Sequence, residues 1–416
     1  MNHDTDVLII GGGVIGVCSA YYLTKQGCKV TLIEKGEICS GCSWGNMGLI
    51  VPSHSMPLAA PGVVGKALKW MLNPESPFYI KPRLDWNLIA WLWRFRRAAN
   101  ERRALSVGPF IRDLTRLSLE LYDELDAIDG LEFDYGRRGV LLACLSRQAM
   151  DEFRPEADFL RKVGVEAREV NPQQMRELEP ALDSSPIFGG IHYPEDASLT
   201  PARFVEGLSA HVQTMGATIC PLTEVFDIDT SGGRITSIKT TRGEYKPDQV
   251  VLAAGSWTPI LLKRLGINLP IQPAKGYSVT TTRPPGAPSM PLLLADAHMA
   301  ASPMGDTMRF GGQLELAGMD FSINDRRVNV IFRGMKAFLP QLGDYEILRI
   351  WRGLRPCTPD GLPVIARSKA PNNLVVAAGH AMIGVSMGPG TGRLVAQIVA
   401  GEKPLLDLEY VALERF

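Results

Sequence analysis

Cysteine is scarce in this chain: seven in 416 residues (Cys18, Cys28, Cys39, Cys42, Cys144, Cys220 and Cys357). An odd, sparse set is unlike a disulfide framework and suits a reducing compartment, so the chain is expected in the cytoplasm. Net charge is missing as well, because 44 Lys and Arg balance 44 Asp and Glu. A protein held to nucleic acid by general charge should be markedly basic, so this balance argues against that class while leaving local patches open. Long unbroken apolar runs are also absent. Residues 7–24 carry no charge, but they hold four glycines and follow Asp4 and Asp6 with no Lys or Arg, which suits neither a signal peptide nor a span. Residues 370–392 hold five glycines and two prolines and read as strand, turn and helix start. No internal repeat or low-complexity tail is present.

What the chain does have is apolar bulk: 45% hydrophobic residues against 21% charged, with a mean hydropathy of +0.02. At two to three times the usual single-domain size, it should bury a large core in two joined domains. Its first chemical signal lies near the start. The apolar run Val7-Leu-Ile-Ile10 suits a buried parallel strand, and Gly11-Gly-Gly-Val-Ile-Gly16 opens a helix-like stretch that Gly27 stops. A second strand follows at 29–33, and Glu34 stands at its end, 18 residues past Gly16. Strand, tight turn, helix, strand and acid together make the dinucleotide fingerprint. Gly11 permits the turn, Gly13 lets backbone approach a pyrophosphate, Gly16 lets helix pack on strand, and Glu34 accepts from a ribose hydroxyl. The helix N-terminus favours the phosphate charge. FAD and NAD share this ADP half, so the fingerprint alone does not choose between them.

The choice comes from the rest of the chain. Ser40-Gly-Cys-Ser-Trp-Gly-Asn-Met-Gly48, Val250-Val-Leu-Ala-Ala-Gly255-Ser-Trp-Thr-Pro and Asn373-Leu-Val-Val-Ala-Ala-Gly379-His-Ala-Met-Ile-Gly384 resemble three segments of the flavin amine oxidoreductases of the D-amino-acid oxidase superfamily. Residues 46–93, 276–279 and 353–365 most resemble the small-subunit type of bacterial D-amino acid dehydrogenase. The resemblance implies an α/β fold in which a discontinuous Rossmann-like FAD-binding domain (1–50, 199–270 and 346–416) carries an inserted α+β substrate domain (51–198 and 271–345). The insert is expected to rest on an antiparallel sheet, because residues such as Tyr277-Ser-Val-Thr alternate in polarity. A helix is expected over 201–215 and a hairpin over 218–246 with its turn at Ser231-Gly-Gly233.

The resemblance also implies an activity: oxidative deamination of D-amino acids, D-proline or hydroxy-D-proline among them, by hydride transfer from Cα to flavin N5, with electrons passed to a quinone, expected in the membrane, or to another acceptor. An oxygen-using oxidase of the glycine or sarcosine type and a flavin subunit of a larger complex are the alternatives. FAD is expected to be noncovalent, since the surroundings of Cys357 do not match known tethering sites. Its binding residues are expected to be Gly11, Gly13, Val14, Ile15 and Gly16 at the turn, and Glu34 and Lys35 after the second strand. Ser43, Asn46, Met47, Gly48 and Leu49 follow along the ring, then Val225, Ala254, Gly255 and Trp257. Gly353, Gly379, Gly384, Val385, Ser386 and Met387 complete the set.

Substrate chemistry needs a cation for the carboxylate and donors for charge on the reduced flavin. Arg355, after a strand and before a proline-punctuated turn, is expected to clamp the carboxylate; its structural alternative is an ion pair with Asp360. A helix starting near 388 is expected to aim its N-terminus at the ring, with His380 adding a donor or a cation, or else serving as a hydrogen-bonded structural histidine. Tyr277 is expected in the pocket wall or in the sheet core, and His54 in the pocket or on a surface loop. Cys39-Ser-Gly-Cys42 has no second Cys or His pair at metal-site spacing and reads as two incidental small residues, so no metal is expected. Residues 66–103 hold nine basic residues, three acidic ones and four of the seven tryptophans. That composition suits a membrane-surface element and equally a helical cap with solvated arginines.

Overall fold

The computed structural model describes residues 2–60, 62, 63, 65 and 75–416, with side chains from Thr5 onward. Lys66, Lys69 and Trp70 of the basic segment lie outside the described residues. Two large sheets organise the molecule. In the first, the strands run Val225–Ser231, Arg234–Thr240, Gly243–Leu252, Asn2–Ile10, Val30–Ile33 and Thr218–Cys220. Asn2–Ile10 is parallel to both of its neighbours, and Leu374–Ala378 extends the parallel set beside Gly243–Leu252. Val30–Ile33 and Leu374–Ala378 are buried at every position, as strands covered on both faces should be. The hairpin turns at Gly232 and Gly233, both with positive φ (58° and 73°), the conformation a two-residue type I′ turn requires.

Helix Val14–Lys25 is buried from Val14 to Leu23, because it is packed on the sheet, on helix Pro201–Thr214 and on helix Gly388–Ala400. Glycines set that spacing. A Cβ at Gly392 would lie 2.6 Å from the Cys18 backbone, and one at Gly16 would lie 1.8 Å from the Gly11 carbonyl oxygen.

The second sheet runs Ile347–Cys357, Gln272–Thr282, Thr307–Leu316, Met299–Met304, Leu292–Leu294, Val140–Cys144, Gly189–Tyr193 and Arg168–Val170, with Phe78–Ile80 beside Thr307–Leu316. Its pairings are antiparallel except for two parallel ones. Helix Asp325–Phe338, capped by the Asn324 side chain, covers one face with Val328, Ile331, Met335 and Phe338.

Two segments fall on other sides of the expected boundaries. Ile347–Cys357, expected with the nucleotide-binding layer, is the edge strand of the second sheet, paired along its length with Gln272–Thr282. Helix Glu101–Asp126, expected in the insert, packs in the same core as helix Val14–Lys25, through Val107, Ile111, Leu114 and Tyr122, whose hydroxyl donates to the Val385 carbonyl (2.8 Å). An apolar stripe of this length is buried wherever the larger core lies, whichever chain segment carries it. Among the described residues no helix is long and apolar enough to cross a membrane.

Candidate active site

Two cavities adjoin between the sheets. The larger, about 480 Å³, extends from Glu34 and Lys35 past the glycine turn to Gly353 and the 377–385 segment. Nine of its lining residues are glycines. Gly11 has φ +120°, and a Cβ there would lie 2.4 Å from the Ala253 carbonyl oxygen, so only glycine lets the first strand turn so close to its neighbour. At Gly13 a Cβ would meet no protein atom nearer than Ser43 Oγ (3.2 Å); the rest of its surroundings is cavity. Ser43 Oγ accepts from the Val14 N–H at the start of the helix (2.9 Å). The Glu34 carboxylate is fixed by the N–H groups of Gly12 (2.7 Å) and Gly36 (2.8 Å), and Lys35 Nζ lies 3.8 Å above the Trp257 ring. A glycine cradle at a helix N-terminus with an anchored carboxylate one strand away is the donor set for a pyrophosphate and a ribose.

Ile15, Asn46, Val225, Ala254, Gly255, Gly353, Gly379, Gly384 and Val385 also line this cavity. Met47, Leu49 and Ser386 line the smaller one, where Ser386 Oγ donates to the Leu49 carbonyl (2.8 Å) and so ties the 40–50 loop to the C-terminal turn. Gly48 and Met387, expected at the cofactor, line neither. A Cβ at Gly48 would lie 2.0 Å from the Leu199 carbonyl oxygen, and Met387 is buried in the core.

The C-terminal helix does not offer its N-terminus to the cavity as expected. Gly390 N–H donates to Ser118 Oγ (3.0 Å), and Gly388 is packed against Val14 and Cys18. The N–H groups of Gly384 and Val385, in the preceding turn, have no acceptor among the described residues and border the cavity instead. His380 is not a cation: burial pushes its imidazole down to about 3, and Nε2 sits 3.1 Å from Thr391 Oγ1.

The smaller cavity, about 380 Å³, shares Cys42, Asn46, Trp351 and Ala381 with the larger one. Trp351, Gly353 and Arg355 alternate along one face of their strand, opposite Ser278, Gly276 and Ala274. The Trp351 indole lies between two glycines: a Cβ at Gly45 or Gly353 would come within 2.1 or 2.0 Å of the ring. The Arg355 guanidinium crosses Gly276, where a Cβ would lie 2.3 Å from Cζ. It donates to the Gln313 carbonyl (2.6 Å), and no carboxylate is within ion-pair reach among the described residues. Asp360 pairs instead with Arg415 (2.8 Å) and Arg103 (2.9 Å), which removes the structural alternative for Arg355.

Tyr277 is one residue out of step with that face. It lines the smaller cavity, and its hydroxyl donates to the buried Glu315 (2.8 Å) beside Lys275 and Arg327, so its polar end is committed. That buried network bears on Arg355 indirectly, because Gln313, whose carbonyl holds the guanidinium, has its own side chain held by Arg327 (2.8 Å). Sequence reading missed Gln313 and Gly276; the positive φ of Gln313 (65°) left no signal in residue type. His54 is not on a surface loop: it lines the smaller cavity, and burial pushes its imidazole down to about 4.

Cys39 and Cys42 are unpaired, and no group of three or more metal-ligating side chains occurs among the described residues. Cys357 is fully buried and lines neither cavity; its carbonyl accepts from Trp91 Nε1 (3.0 Å).

A dinucleotide cleft in a parallel layer, opening onto a second cavity under a mixed sheet, defines a dinucleotide-binding protein with an adjoining pocket. The model of the FAD dependent oxidoreductase family (DAO) matches residues 6–398, and the chain belongs to that family. Its cofactor is FAD, and it is an oxidoreductase. The chain is 33% identical to a D-amino acid dehydrogenase of Granulibacter bethesdensis, over 99% of each chain. It is 34% identical to a D-amino acid dehydrogenase of Methylobacterium radiotolerans, again over 99% of each. The solved glycine oxidase of Geobacillus kaustophilus shares the fold, with a TM-score of 0.78 at 24% identity over 100% of this chain and 99% of that one.

Proposed function

We propose that the chain dehydrogenates D-amino acids, small or cyclic ones such as D-proline or hydroxy-D-proline among them, with Arg355 holding the substrate carboxylate. The observation that carries this reading is a guanidinium lining the smaller cavity beside the cofactor cleft, with a carbonyl on one nitrogen and no counter-ion among the described residues. Burial lowers its pKa, yet a guanidinium stays charged in a protein, so its remaining donors favour an anion of matching planar geometry. The relatives named D-amino acid dehydrogenase support the substrate class.

FAD supplies the two-electron acceptor for the Cα hydride. The chain's own residues do the rest. Arg355 binds and orients, Gly276 gives it room, and Gln313 fixes its plane. Val51, Leu142, Phe153 and Leu293 form a wall that accepts an apolar side chain and sheds water. The N–H groups of Gly384 and Val385 would offer donors to negative charge on the reduced cofactor. Water then hydrolyses the released imino acid to a keto acid and ammonia.

The electrons pass to a membrane quinone. Helix Trp86–Ala98 buries Leu88, Trp91 and Phe95 and leaves Trp86 (85%), Ile89 (49%) and Trp93 (58%) exposed, with Arg96 and Arg97 beside them. Tryptophan and arginine on one exposed face suit the headgroup boundary of a bilayer. The test of the substrate class is anaerobic mixing of the FAD-loaded protein with D- and L-alanine and D- and L-proline. Bleaching of the oxidised flavin by the D-enantiomers is expected; a flavin that none of them bleaches contradicts the reading. Rapid reoxidation of the bleached enzyme by air, with peroxide, would instead mark an oxidase.

A further inference from the structure

A buried carboxyl group lies behind the smaller cavity. Asp196 is fully buried, and its nearest polar partner is Ser53, which donates its backbone N–H to Oδ1 (3.1 Å) and its hydroxyl to Oδ2 (2.5 Å). On its other side, Ser53 Oγ lies 3.4 Å from His54 Nδ1. His54 lines the cavity, and its Nε2 has no partner among the described residues. The three groups therefore form one hydrogen-bonded line from a buried acid to the substrate space, with a donor-and-acceptor group at each intermediate step.

We propose that Asp196, Ser53 and His54 are a proton relay that takes the ammonium proton of an amino acid bound on Arg355. The proposal rests on the substrate class proposed above. Hydride can leave Cα only when the nitrogen lone pair is free, so the ammonium form must first lose a proton. With Asp196 ionised, the Ser53 hydroxyl proton lies toward the carboxylate. Ser53 Oγ then accepts from Nδ1–H, and His54 presents a bare Nε2 to the cavity. In the transfer, the substrate N–H bond breaks and Nε2–H forms. Nδ1–H breaks and a new Ser53 O–H forms, and the original Ser53 proton moves to Asp196 Oδ2. The net change is a neutral amine and a neutral carboxylic acid, and no electrons move.

Passing the proton on matters because His54 cannot keep it. Burial holds the imidazole down at about 4, far below an amino group, whereas burial pushes Asp196 up to about 8, near one. The relay leaves the imidazole neutral before and after. Other charges facing it are few. Glu195, next to Asp196, is paired with Arg116 of helix Glu101–Asp126 (2.7 Å). Around the cavity stand Glu156 of helix Arg147–Lys162, Tyr193 of strand Gly189–Tyr193, Tyr277 of strand Gln272–Thr282, His298, Cys42 and Arg355. His54 is the catalytic residue of the set, and Ser53 and Asp196 act through it.

Two measurements test the relay. In the FAD-loaded enzyme, the rate of anaerobic bleaching by D-proline or D-alanine should rise with pH about a midpoint near 8, where Asp196 ionises. His54→Gln and Asp196→Asn should each slow bleaching at pH 7 by roughly a hundredfold or more. Each should also move the rise upward toward the amine's own pKa, with the rate recovering at high pH. An unshifted profile in both variants overturns the relay. The second measurement needs no substrate: ¹⁵N NMR of the histidine-labelled holoenzyme, with His54 assigned by its loss in His54→Gln. The wild type should switch from the Nε2–H tautomer at low pH to Nδ1–H above about 8, and Asp196→Asn should show no switch. One tautomer throughout, or a switch that survives in Asp196→Asn, overturns the relay. If no amino acid bleaches the wild type, the substrate class fails while the tautomer result still decides on the relay.

Discussion

The two cavities are made of different material. The larger is lined by glycines, among them Gly11, which closes on the Ala253 carbonyl, with Gly13, Gly353, Gly379 and Gly384, whereas the smaller gets its chemistry from side chains on separate elements: Arg355 from an edge strand, His54 from a short turn, Met47 from the connecting loop. A backbone site fails when a side chain is added, because the strands cannot separate without breaking their ladder. A side-chain site fails when one group is removed, and the frame survives. The two should therefore respond to mutation in opposite ways, with cofactor and stability lost together in one and catalysis lost alone in the other.

The largest effect is expected from Gly11→Ala or Gly16→Ala. Each Cβ would enter a carbonyl's space, at 2.4 and 1.8 Å, and Gly11 also needs φ +120°. Overpacking and strain of this kind cost about 3 kcal/mol or more. The purified variants should carry little FAD and melt several degrees lower; a normal flavin spectrum and melting temperature would break the distinction. Next comes Gly276→Ala, which displaces the guanidinium without removing it. The substrate KM should rise about tenfold or more, at unchanged FAD content. A smaller effect is expected at the surface. Trp86→Ser with Trp93→Ser should weaken flotation with anionic vesicles several-fold and leave dye-linked activity in solution unchanged. Equal flotation would return the helix to a role as a cap.

The last prediction is of another kind and concerns stability against pH. Folding raises the Asp196 carboxyl from an ordinary 3.8 to about 8. The folded state thus binds this proton more tightly than the unfolded one, and the stability it contributes is complete below about 4 and lost as pH rises toward 8. Relative to Asp196→Asn, the wild type should lose melting temperature across that window. A constant difference would mean the carboxyl is not held in its acid form.

The same contrast explains what residue order revealed. The glycine turn and Glu34 were legible because backbone approach demands one residue type at fixed spacing, and the Gly232-Gly233 turn for the same reason. Arg355 was legible through the motif around it. What surrounds Arg355 was not: Gly276 and Gln313 act through strand register, which pairs residues 77 apart in sequence (276 with 353) and carries no local pattern. Tyr277, next to Gly276 on that strand, does line the smaller cavity, but the commitment of its hydroxyl to Glu315 across the sheet left no local signal either. The helix over 101–126 was misplaced because an amphipathic stripe shows that a face is buried, not against which layer. His380 lines the larger cavity as expected, but the helix behind it does not face it, and residue order could not show that Gly388, Gly390 and Gly392 were there to pack helices together.

Arg355→Met tests the central division most directly. The variant keeps an unbranched stem without the charged head, so the account predicts full FAD content and an unchanged melting temperature. In anaerobic titration the D-amino acid concentration for half-maximal bleaching should rise roughly a hundredfold, from the loss of about 3 kcal/mol of ionic hydrogen bonding. Loss of FAD together with substrate, or bleaching at the wild-type concentration, would contradict it.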